Sequence, residues 1–205
     1  TAYIIQFLVS AQQQGYSVPV AMLQNALNYT GQIANRWVRT EPWAQQEQAY
    51  RLFVLALAEH PDMAAMNRLK ESQLKNPVSQ WLLASAYALS HQEEIARTMI
   101  RNLSSEVASY RETGRTYGSD IRDYALILQS MIILDMRQDA YRMLEKISKA
   151  MGSEQWLSTQ ETAFSLHAAA QFVRKYLGSQ KGIQVTVTTP KGKQEIRTDK
   201  TIWQL

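Results

Sequence analysis

An aromatic residue beside an alanine recurs five times along the chain, each time near the start of a segment that would be apolar on most sides as a helix. These aromatic residues lie 37 to 47 residues apart, at Tyr3, Tyr50, Tyr87, Tyr124 and Phe164. Between them lie segments with a narrower apolar stripe at helical spacing, such as Met63, Met66 and Leu69. A helix that is apolar on most sides is buried, whereas a helix with one apolar stripe covers it from outside. The sequence therefore predicts repeated pairs of one inner and one outer helix.

Two architectures contain such pairs of helices. In an α/α toroid the inner helices form a central barrel, and in a tetratricopeptide-like solenoid the stacked pairs form an open superhelix with a continuous concave groove. Tetratricopeptide repeats hold about 34 residues with Trp, Gly and Tyr at fixed places. The spacing here is longer and irregular. The pattern therefore favours the toroid, with the solenoid scaffold as an alternative.

Prolines indicate where several helices begin. Pro19, Pro42, Pro61 and Pro77 are each predicted at a helix start, because the missing N–H of proline is not needed in the first turn. With the apolar periodicity, they predict nine helices, at residues 2–14, 19–33, 42–59, 61–72, 77–90, 92–103, 119–135, 137–150 and 158–177. The connection at 104–118 carries several tyrosines and arginines, and loops of that length are often functional or mobile.

The segment from Trp156 to Phe172 contains the clearest helix start in the chain. Ser158 is predicted as the N-cap, with Glu161 three residues later, which is the spacing of a reciprocal capping box. The residues that follow are apolar around almost the whole circumference of the helix. We therefore expect an inner helix that is buried on all sides.

After Gly178 the apolar period changes from helical to alternating. Ile183, Val185 and Val187 alternate with polar residues, and residues 189–192 suit a type I turn. Further apolar residues follow at Ile196, Ile202 and Trp203. Because an isolated hairpin is marginally stable, we expect residues 179–205 to belong to an adjoining β-sandwich. The predicted organisation is thus a helical domain at 1–178 and a short β segment at 179–205, in a mainly α chain.

Composition excludes several classes of function. The 205 residues include no cysteine, so disulfides, thiolate metal sites and a cysteine nucleophile are absent. The net charge of +4 is spread in single residues, without the basic clusters interleaved with aromatics that bind nucleic acid. No uncharged apolar run reaches the roughly 18 residues of a membrane span. Because the chain begins at Thr1 inside an apolar run, we expect it to be a piece of a longer protein.

Acidic residues at predicted helix starts are the first candidates for catalysis. Asp120, Asp123 and Glu161 lie where a toroidal glycosidase would place its acid and base. Carboxylates in a first turn are also favoured by capping and by the helix dipole. Arg122 beside Asp123 indicates a structural ion-pair network, with Arg115 as a further candidate member. We expect these residues to be structural, and we assign no catalytic residue.

The positions of the three histidines in the sequence do not indicate a metal site. His60 precedes a proline, His91 lies in a predicted turn and His167 lies on a predicted inner helix. None of them has a second histidine or a carboxylate at the helical spacing of metal ligands. No glycine-rich phosphate loop or nucleophile elbow is present either. We therefore expect no metal site, cofactor site or cofactor.

Five segments resemble, in a consistent order, the thioester-domain region of bacterial alpha-2-macroglobulins. They lie at residues 1–3, 15–19, 66–69, 117–125 and 156–164. The Ser-Thr-Gln-x-Thr helix start at 158–162 is shared as well with animal alpha-2-macroglobulins and complement thioester proteins. The resemblance covers essentially the whole chain.

The resemblance implies a fold and a function. The family domain is an α/α toroid of six helical hairpins, inserted in a β-sandwich that resumes at its C-terminal end. The family traps proteases: cleavage of a bait segment triggers a rearrangement that encloses the protease, and in thioester members a lysine of the protease is captured covalently. The implied partners are target proteases and other domains of the parent chain. The implied location is the periplasm or cell envelope of a bacterium, for an exported parent that a lipid anchor could hold.

This chain departs from the family at its reactive centre. The family's Cys-x-Glu-Gln thioester motif lies upstream of the position that matches Thr1, and this chain has no cysteine. The resemblance then implies a non-catalytic structural or interaction module. Only five of the six implied inner helices are predicted, so we expect a partial toroid with an exposed apolar edge around Tyr3, Phe7 and the last helix, and self-association through it. The alternative function is an α/α-toroid enzyme that acts on polysaccharide, as a glycosidase or lyase.

Overall fold

Nine α-helices and one β-hairpin make up the described part of the chain. The computed structural model describes residues 2–38, 41–114, 117–178, 183–189 and 192–198. The helices are α1 (Ala2–Gln13), α2 (Val20–Asn35), α3 (Pro42–Leu57), α4 (Met63–Glu71), α5 (Pro77–Leu89), α6 (Glu93–Ile100), α7 (Asp120–Ile133), α8 (Arg137–Met151) and α9 (Thr159–Tyr176), followed by β1 (Ile183–Thr189) and β2 (Gly192–Thr198). Every predicted helix is present, with its ends within three residues of the prediction.

Local capping chemistry explains most of the helix starts. Pro42 and Pro77 are the first residues of α3 and α5, and Pro19 directly precedes α2. The prediction that α4 begins at Pro61 was wrong, because Asp62 is its N-cap. The Asp62 carboxylate accepts a backbone N–H of the first turn at 2.9 Å, which a proline start cannot offer.

The predicted alternation of inner and outer helices is confirmed. Helices α1, α3, α5, α7 and α9 pack against one another in that order, and α2, α4, α6 and α8 cover them from outside. In α7 all residues from Ile121 to Ile132 are buried, whereas α6 buries only Ala96. The largest fully buried side chains include Phe53 and Trp81, on α3 and α5. The core therefore lies along the row of inner helices.

The expectation that α9 is buried on all sides was wrong. Phe164, Ala168 and Phe172 are buried, but Leu166 is 56% exposed and Val173 is 43% exposed. Among the described residues, the backbone of α9 lies close only to α7 and α8, because α9 is the last member of the row. Its contacts with α1 and α3 are made by the Phe164 ring, which meets the rings of Tyr3 and Tyr50. The outward face of α9 is therefore apolar and exposed to solvent.

The C-terminal segment forms an antiparallel hairpin. Its pairing runs from Ile183 opposite Thr198 to Thr189 opposite Gly192. The predicted turn residues 190 and 191 lie outside the described residues, as do Ile202 and Trp203. Within the described part of the chain, β1 and β2 pair only with each other. The assignment of residues 179–205 to an adjoining β-sandwich stays a prediction.

The row of inner helices curves until its first and last members meet at one point. The ring of Tyr3 on α1 lies 5.4 Å from the ring of Phe164 on α9. Beyond that contact the two helices do not pack together in the described residues, and a cleft of about 670 Å³ lies between them. The mainly α fold class is confirmed, and the partial α/α toroid stays a prediction.

Candidate functional site

The centre of the helical array is filled with packed side chains. Gln6 donates its Nε2 to Oε1 of Gln129 at 3.1 Å, and the Tyr50 hydroxyl donates to Oε1 of Gln6. The Tyr50 ring lies 6.2 Å from that of Phe164, which also contacts Tyr3. Burial raises the pKa of Tyr50 well above its usual range. A neutral hydroxyl held in a buried hydrogen-bond chain is suited to positioning helices, not to acid–base chemistry.

The five recurring aromatic residues separate into two groups. Tyr3, Tyr50 and Phe164 converge at the centre of the array. The Tyr87 hydroxyl instead donates to Asn67 on the outer helix α4 at 2.7 Å, and the Tyr124 hydroxyl donates to the carbonyl oxygen of residue 107 at 2.9 Å. The expectation that each aromatic residue lies near a helix start was wrong for Tyr50, in the middle of α3, and for Tyr87, near the end of α5. The repeat therefore marks the inner helices and does not mark one shared environment.

Asp123 is the centre of a buried polar network. Its Oδ2 accepts from the Tyr110 hydroxyl at 2.6 Å, and its Oδ1 accepts from Gln46 and from Arg122, each at 3.0 Å. Burial raises the pKa of Asp123, and the Arg122 charge opposes that shift. The structural ion pair predicted between Arg122 and Asp123 is confirmed, while Arg115 lies outside the described residues. Tyr110 and Gln46 were not predicted as partners.

Glu161 holds the start of α9, as predicted. The Ser158 backbone N–H donates to Oε2 of Glu161 at 2.6 Å, and the Glu161 backbone N–H donates to the Ser158 hydroxyl at 3.2 Å. Arg111 donates to both carboxylate oxygens of Glu161, at 3.0 and 3.2 Å. The capping box is therefore confirmed, and the Glu161 carboxylate is fully buried and paired.

A smaller cavity of about 380 Å³, lined by both polar and apolar residues, lies beside the central aromatic residues. Among the described residues, Glu47 is the only acidic residue that lines it. Asp123 and Glu161 are paired elsewhere, and Asp120 accepts the backbone N–H of Ile121 at 2.9 Å. A glycosidase needs two carboxyl groups that flank one bond. The carboxylates considered from the sequence do not converge in this cavity.

The histidines lie apart from one another in the fold. His60 and His91 are exposed at helix ends. His167 is half-buried, with its Nε2 at 3.0 Å from Nε2 of Gln171. Burial lowers the pKa of His167, and Arg174 lowers it further. Within the described residues, no group of three His, Cys, Asp or Glu side chains could hold a metal ion.

The long connection at 104–118 is bonded to the inner helices along its described part. Trp81 donates its Nε1 to the carbonyl oxygen of Ser104 at 3.0 Å. Tyr110 reaches Asp123 on α7, and Arg111 reaches Glu161 on α9. The connection is therefore a strap across α5, α7 and α9. The tyrosines and arginines of this connection were the feature of the sequence that drew attention to it, but the sequence did not show which residues they contact.

The outer sides of α1 and α9 form a face without charge. Residues 1–35 contain no Asp, Glu, Lys or Arg, although these types make up 20% of the chain, and residues 162–173 contain none either. We define the uncharged edge as the exposed residues Tyr3, Ile4, Phe7, Leu166 and Val173, which are 43% to 64% exposed. The predicted exposed apolar edge is therefore present. The absence of charged residues from these two segments was a further feature of the sequence that indicated this edge.

Among the described residues, no helix is both long enough and apolar enough to span a lipid bilayer.

No protein-family model matches the chain. The chain is 28% identical over 200 residues to the alpha-2-macroglobulin of Escherichia coli strain K12, a match that covers 87% of this chain and 12% of that protein. The chain thus spans about an eighth of the length of that relative.

Solved structures of the same kind of protein share the fold. The crystal structure of native E. coli alpha-2-macroglobulin from domain MG7 to the C-terminus matches with a TM-score of 0.68 and 22% identity, over 97% of this chain and 32% of that one. The structure of Salmonella alpha-2-macroglobulin reacted with methylamine matches with a TM-score of 0.70 and 24% identity, over 97% of this chain and 13% of that one. The predicted resemblance is confirmed, and the chain is a relative, in sequence and in fold, of one region of the bacterial alpha-2-macroglobulins.

Proposed function

We propose that this chain is a non-catalytic structural and interaction module of a bacterial protease-trapping protein of the alpha-2-macroglobulin type. The observation that carries the proposal is the likeness to E. coli alpha-2-macroglobulin over 87% of the chain. The site geometry supports it, because the buried carboxylates have structural partners: Asp123 on α7 accepts from Gln46 on α3, and Glu161 on α9 accepts from Arg111 of the strap.

The geometry suits a rigid part of a larger assembly. The strap at 104–118 ties α5, α7 and α9 through hydrogen bonds and through the ion pair between Arg111 and Glu161. A buried network with all members paired resists local opening. In the proposed role the module keeps its shape while other domains of the parent chain move around an enclosed protease. We propose the partial α/α toroid of the thioester-domain region as its architecture.

The proposed partners are other domains of the parent chain and target proteases. Two similar solved structures are E. coli alpha-2-macroglobulin activated by trypsin and by porcine elastase. Serine proteases of this kind are therefore the first to test with the present protein. The proposed location is the bacterial periplasm or cell envelope, as part of an exported parent.

Covalent capture of a protease through a thioester needs a thiol, and this chain has no cysteine. The module therefore contributes shape and steric shielding instead of a reactive bond. Incubation with methylamine or with active trypsin, followed by intact-mass measurement, should show the unmodified mass of the chain. A stable covalent adduct on the chain would refute the non-catalytic role.

The alternative function, an enzyme that acts on polysaccharide, can be tested with the same purified protein. We expect no hydrolysis or elimination with a panel of oligosaccharides, because Glu47 is the one acidic residue among the described residues that line the cavity of about 380 Å³ beside the central aromatic residues. A Glu47→Gln variant is the matched control. Cleavage by the original chain that disappears in this variant would replace the present proposal with the enzyme.

A positive test uses the E. coli relative as a host. This chain would replace the matching segment of E. coli alpha-2-macroglobulin, and trypsin would then be added. A working trap should protect a large protein substrate from the enclosed trypsin while a small peptide substrate is still cleaved. A folded chimera that leaves both substrates equally exposed to trypsin would count against the proposed role.

A further inference from the structure

We propose that the cavity of about 380 Å³ beside the central aromatic residues binds a small zwitterion, an α-amino acid with an apolar side chain. In this site Arg51 holds the carboxylate of the ligand and Glu47 holds its ammonium group. The rings of Tyr3 and Phe164 contact its apolar side chain. This proposal goes beyond the proposed function, since enclosing a protease requires no small ligand in this module.

Two opposite charges line this cavity without pairing. Glu47 and Arg51 lie one turn apart on α3, and both are partly exposed. Side chains at this spacing on a helix are neighbours that can pair directly. Within the described residues, however, neither of them takes part in an ion pair, and Arg51 donates to the neutral Oε1 of Gln48. The cavity therefore offers one acidic and one basic group, and a zwitterion neutralises both.

Arg51 supplies the positive charge for the ligand. Burial lowers the pKa of Arg51, and the nearby Glu47 charge opposes that shift. An arginine keeps its proton even so, and a partly buried charge is stabilised by a counter-charge. Arg122 lines the same cavity but is already paired with Asp123 at 3.0 Å. A ligand carboxylate therefore finds its counter-charge at Arg51.

A buried hydroxyl in the cavity lining lacks a partner. Thr30 on α2 is 2% exposed and lines the cavity, and its Oγ1 makes no hydrogen bond in the described part of the chain. Leaving a buried hydroxyl unbonded destabilises the folded state. A hydroxyl can donate to a carboxylate and accept from an ammonium group, so a zwitterion in the cavity satisfies it. An apolar occupant would leave it unbonded.

The size of the cavity selects a small molecule over a segment of the parent chain. Its volume lies in the range of about 300 to 1,000 Å³ that is usual for small-molecule sites. A helix is about 10 to 12 Å wide and is too large for this volume. One inserted side chain of the parent would bring a single charge, whereas a free amino acid carries both charges on neighbouring atoms. The apolar part of the lining, which includes Tyr3, Leu126 and Phe164, suits an apolar side chain.

The first experiment measures the binding of three matched probes to the intact 205-residue chain by isothermal titration calorimetry. L-Phenylalanine carries both charges, hydrocinnamate lacks the ammonium group and phenethylamine lacks the carboxylate. We expect a dissociation constant below about 1 mM for L-phenylalanine and binding at least about tenfold weaker for each single-charge probe, because each loses one charged hydrogen bond. Absence of L-phenylalanine binding, or equal binding of all three probes, overturns the proposal and leaves the cavity to the parent chain.

Substitutions of the two charged residues test which charge each one holds. Glu47→Gln should weaken L-phenylalanine binding about tenfold and should not weaken that of hydrocinnamate, which has no ammonium group. Arg51→Gln should weaken L-phenylalanine binding and should not weaken that of phenethylamine, which has no carboxylate. The matched controls, Glu94→Gln on α6 and Arg101→Gln at its C-cap, change exposed residues outside the cavity lining and should leave all three affinities unchanged. A cavity variant that is folded by circular dichroism and weakens all three probes equally contradicts the proposed roles.

Thr30→Val separates ligand binding from a structural role. Valine keeps the shape of threonine without the hydroxyl, and that hydroxyl has no partner among the described residues. The melting temperature of the unliganded chain should therefore stay the same or rise, while L-phenylalanine binds about fivefold more weakly. A lower melting temperature with an unchanged affinity would assign the hydroxyl to the fold and refute its place in the site.

Discussion

Replacing Glu161 by glutamine tests the bonding between the strap and α9. The Glu161 carboxylate is fully buried, accepts the Ser158 backbone N–H at 2.6 Å and accepts Arg111 at 3.0 Å. Glutamine keeps the size of the side chain and can still accept the Ser158 N–H, as in natural capping boxes. It removes the negative charge, however, and so it weakens the contact with Arg111 and with the positive end of the α9 dipole.

The expected loss of stability for Glu161→Gln is about 2 kcal/mol. A hydrogen bond to a charged group contributes about 1.5 to 3 kcal/mol, but the Arg111 side chain is 38% exposed, so solvent screening reduces the contribution of this pair. The interaction with the helix dipole adds about 0.3 to 1 kcal/mol. In a chain of this length, about 2 kcal/mol lowers the melting temperature by about 4 to 8 °C.

Thermal and urea unfolding, followed by circular dichroism, measure this loss. The comparison variant is Ser158→Ala, which removes the hydroxyl that caps the Glu161 N–H but keeps the Glu161 carboxylate, and it should cost about 0.5 to 2 kcal/mol. A melting temperature of Glu161→Gln equal to that of the original chain at pH 7 would refute the reasoning.

The stability difference between the original chain and Glu161→Gln should depend on pH, and this dependence gives an independent test. Burial is the largest influence on the pKa of Glu161 and raises it, but hydrogen bonds from Ser158, Ser119 and Arg111 together hold this pKa below its ordinary value of 4.5. A depressed folded-state pKa means that the carboxylate stabilises the fold above the unfolded-state pKa and that this stability is lost as pH falls through the folded-state pKa. The difference between the original chain and Glu161→Gln should therefore be full at pH 7 and narrow below about pH 4.5. A difference that grows as pH falls would contradict this assignment.

Three further substitutions test the buried network and the inner row of helices. Asp123→Asn should lower the free energy of unfolding by about 3 to 5 kcal/mol, because it removes the carboxylate that the buried Arg122 contacts at 3.0 Å; a loss below 1 kcal/mol in urea unfolding would disprove this role. Leu128→Ala on α7, where Leu128 is fully buried, should cost about 2 to 5 kcal/mol, whereas Leu166→Ala on the exposed side of α9 should change the unfolding free energy by less than about 0.5 kcal/mol. Equal costs for these two leucines would show that α9 is covered in solution.

Helix positions and caps could be predicted from the sequence because they depend on residues within about four positions of each other. The capping box of Ser158 and Glu161 is of this kind, and so are the starts of α3 at Pro42 and α5 at Pro77. Pro61 was misjudged since the neighbouring Asp62 offers a side-chain acceptor and therefore becomes the cap.

The partners of the buried polar groups could not be predicted in the same way. Gln46 and Asp123 are far apart in the chain, and so are Arg111 and Glu161, yet each pair is joined by a hydrogen bond. Such pairs depend on how helices pack, and the sequence shows only that a charged group near a helix start needs some partner. The candidate carboxylates could therefore be identified from the sequence, whereas the groups that they contact are seen only in the structure.

The sequence by itself determined a mainly α chain of paired helices, because apolar periodicity and capping are local properties of each segment. Only the tertiary structure decided which helix is enclosed. α7 and α9 both read as apolar on most sides, but α7 has inner neighbours on both sides, while α9 is the last member of the row in the described part of the chain. Burial of a helix depends on its number of neighbours, which its own composition does not specify, and so the same kind of sequence gives a core helix in α7 and an exposed apolar face in α9.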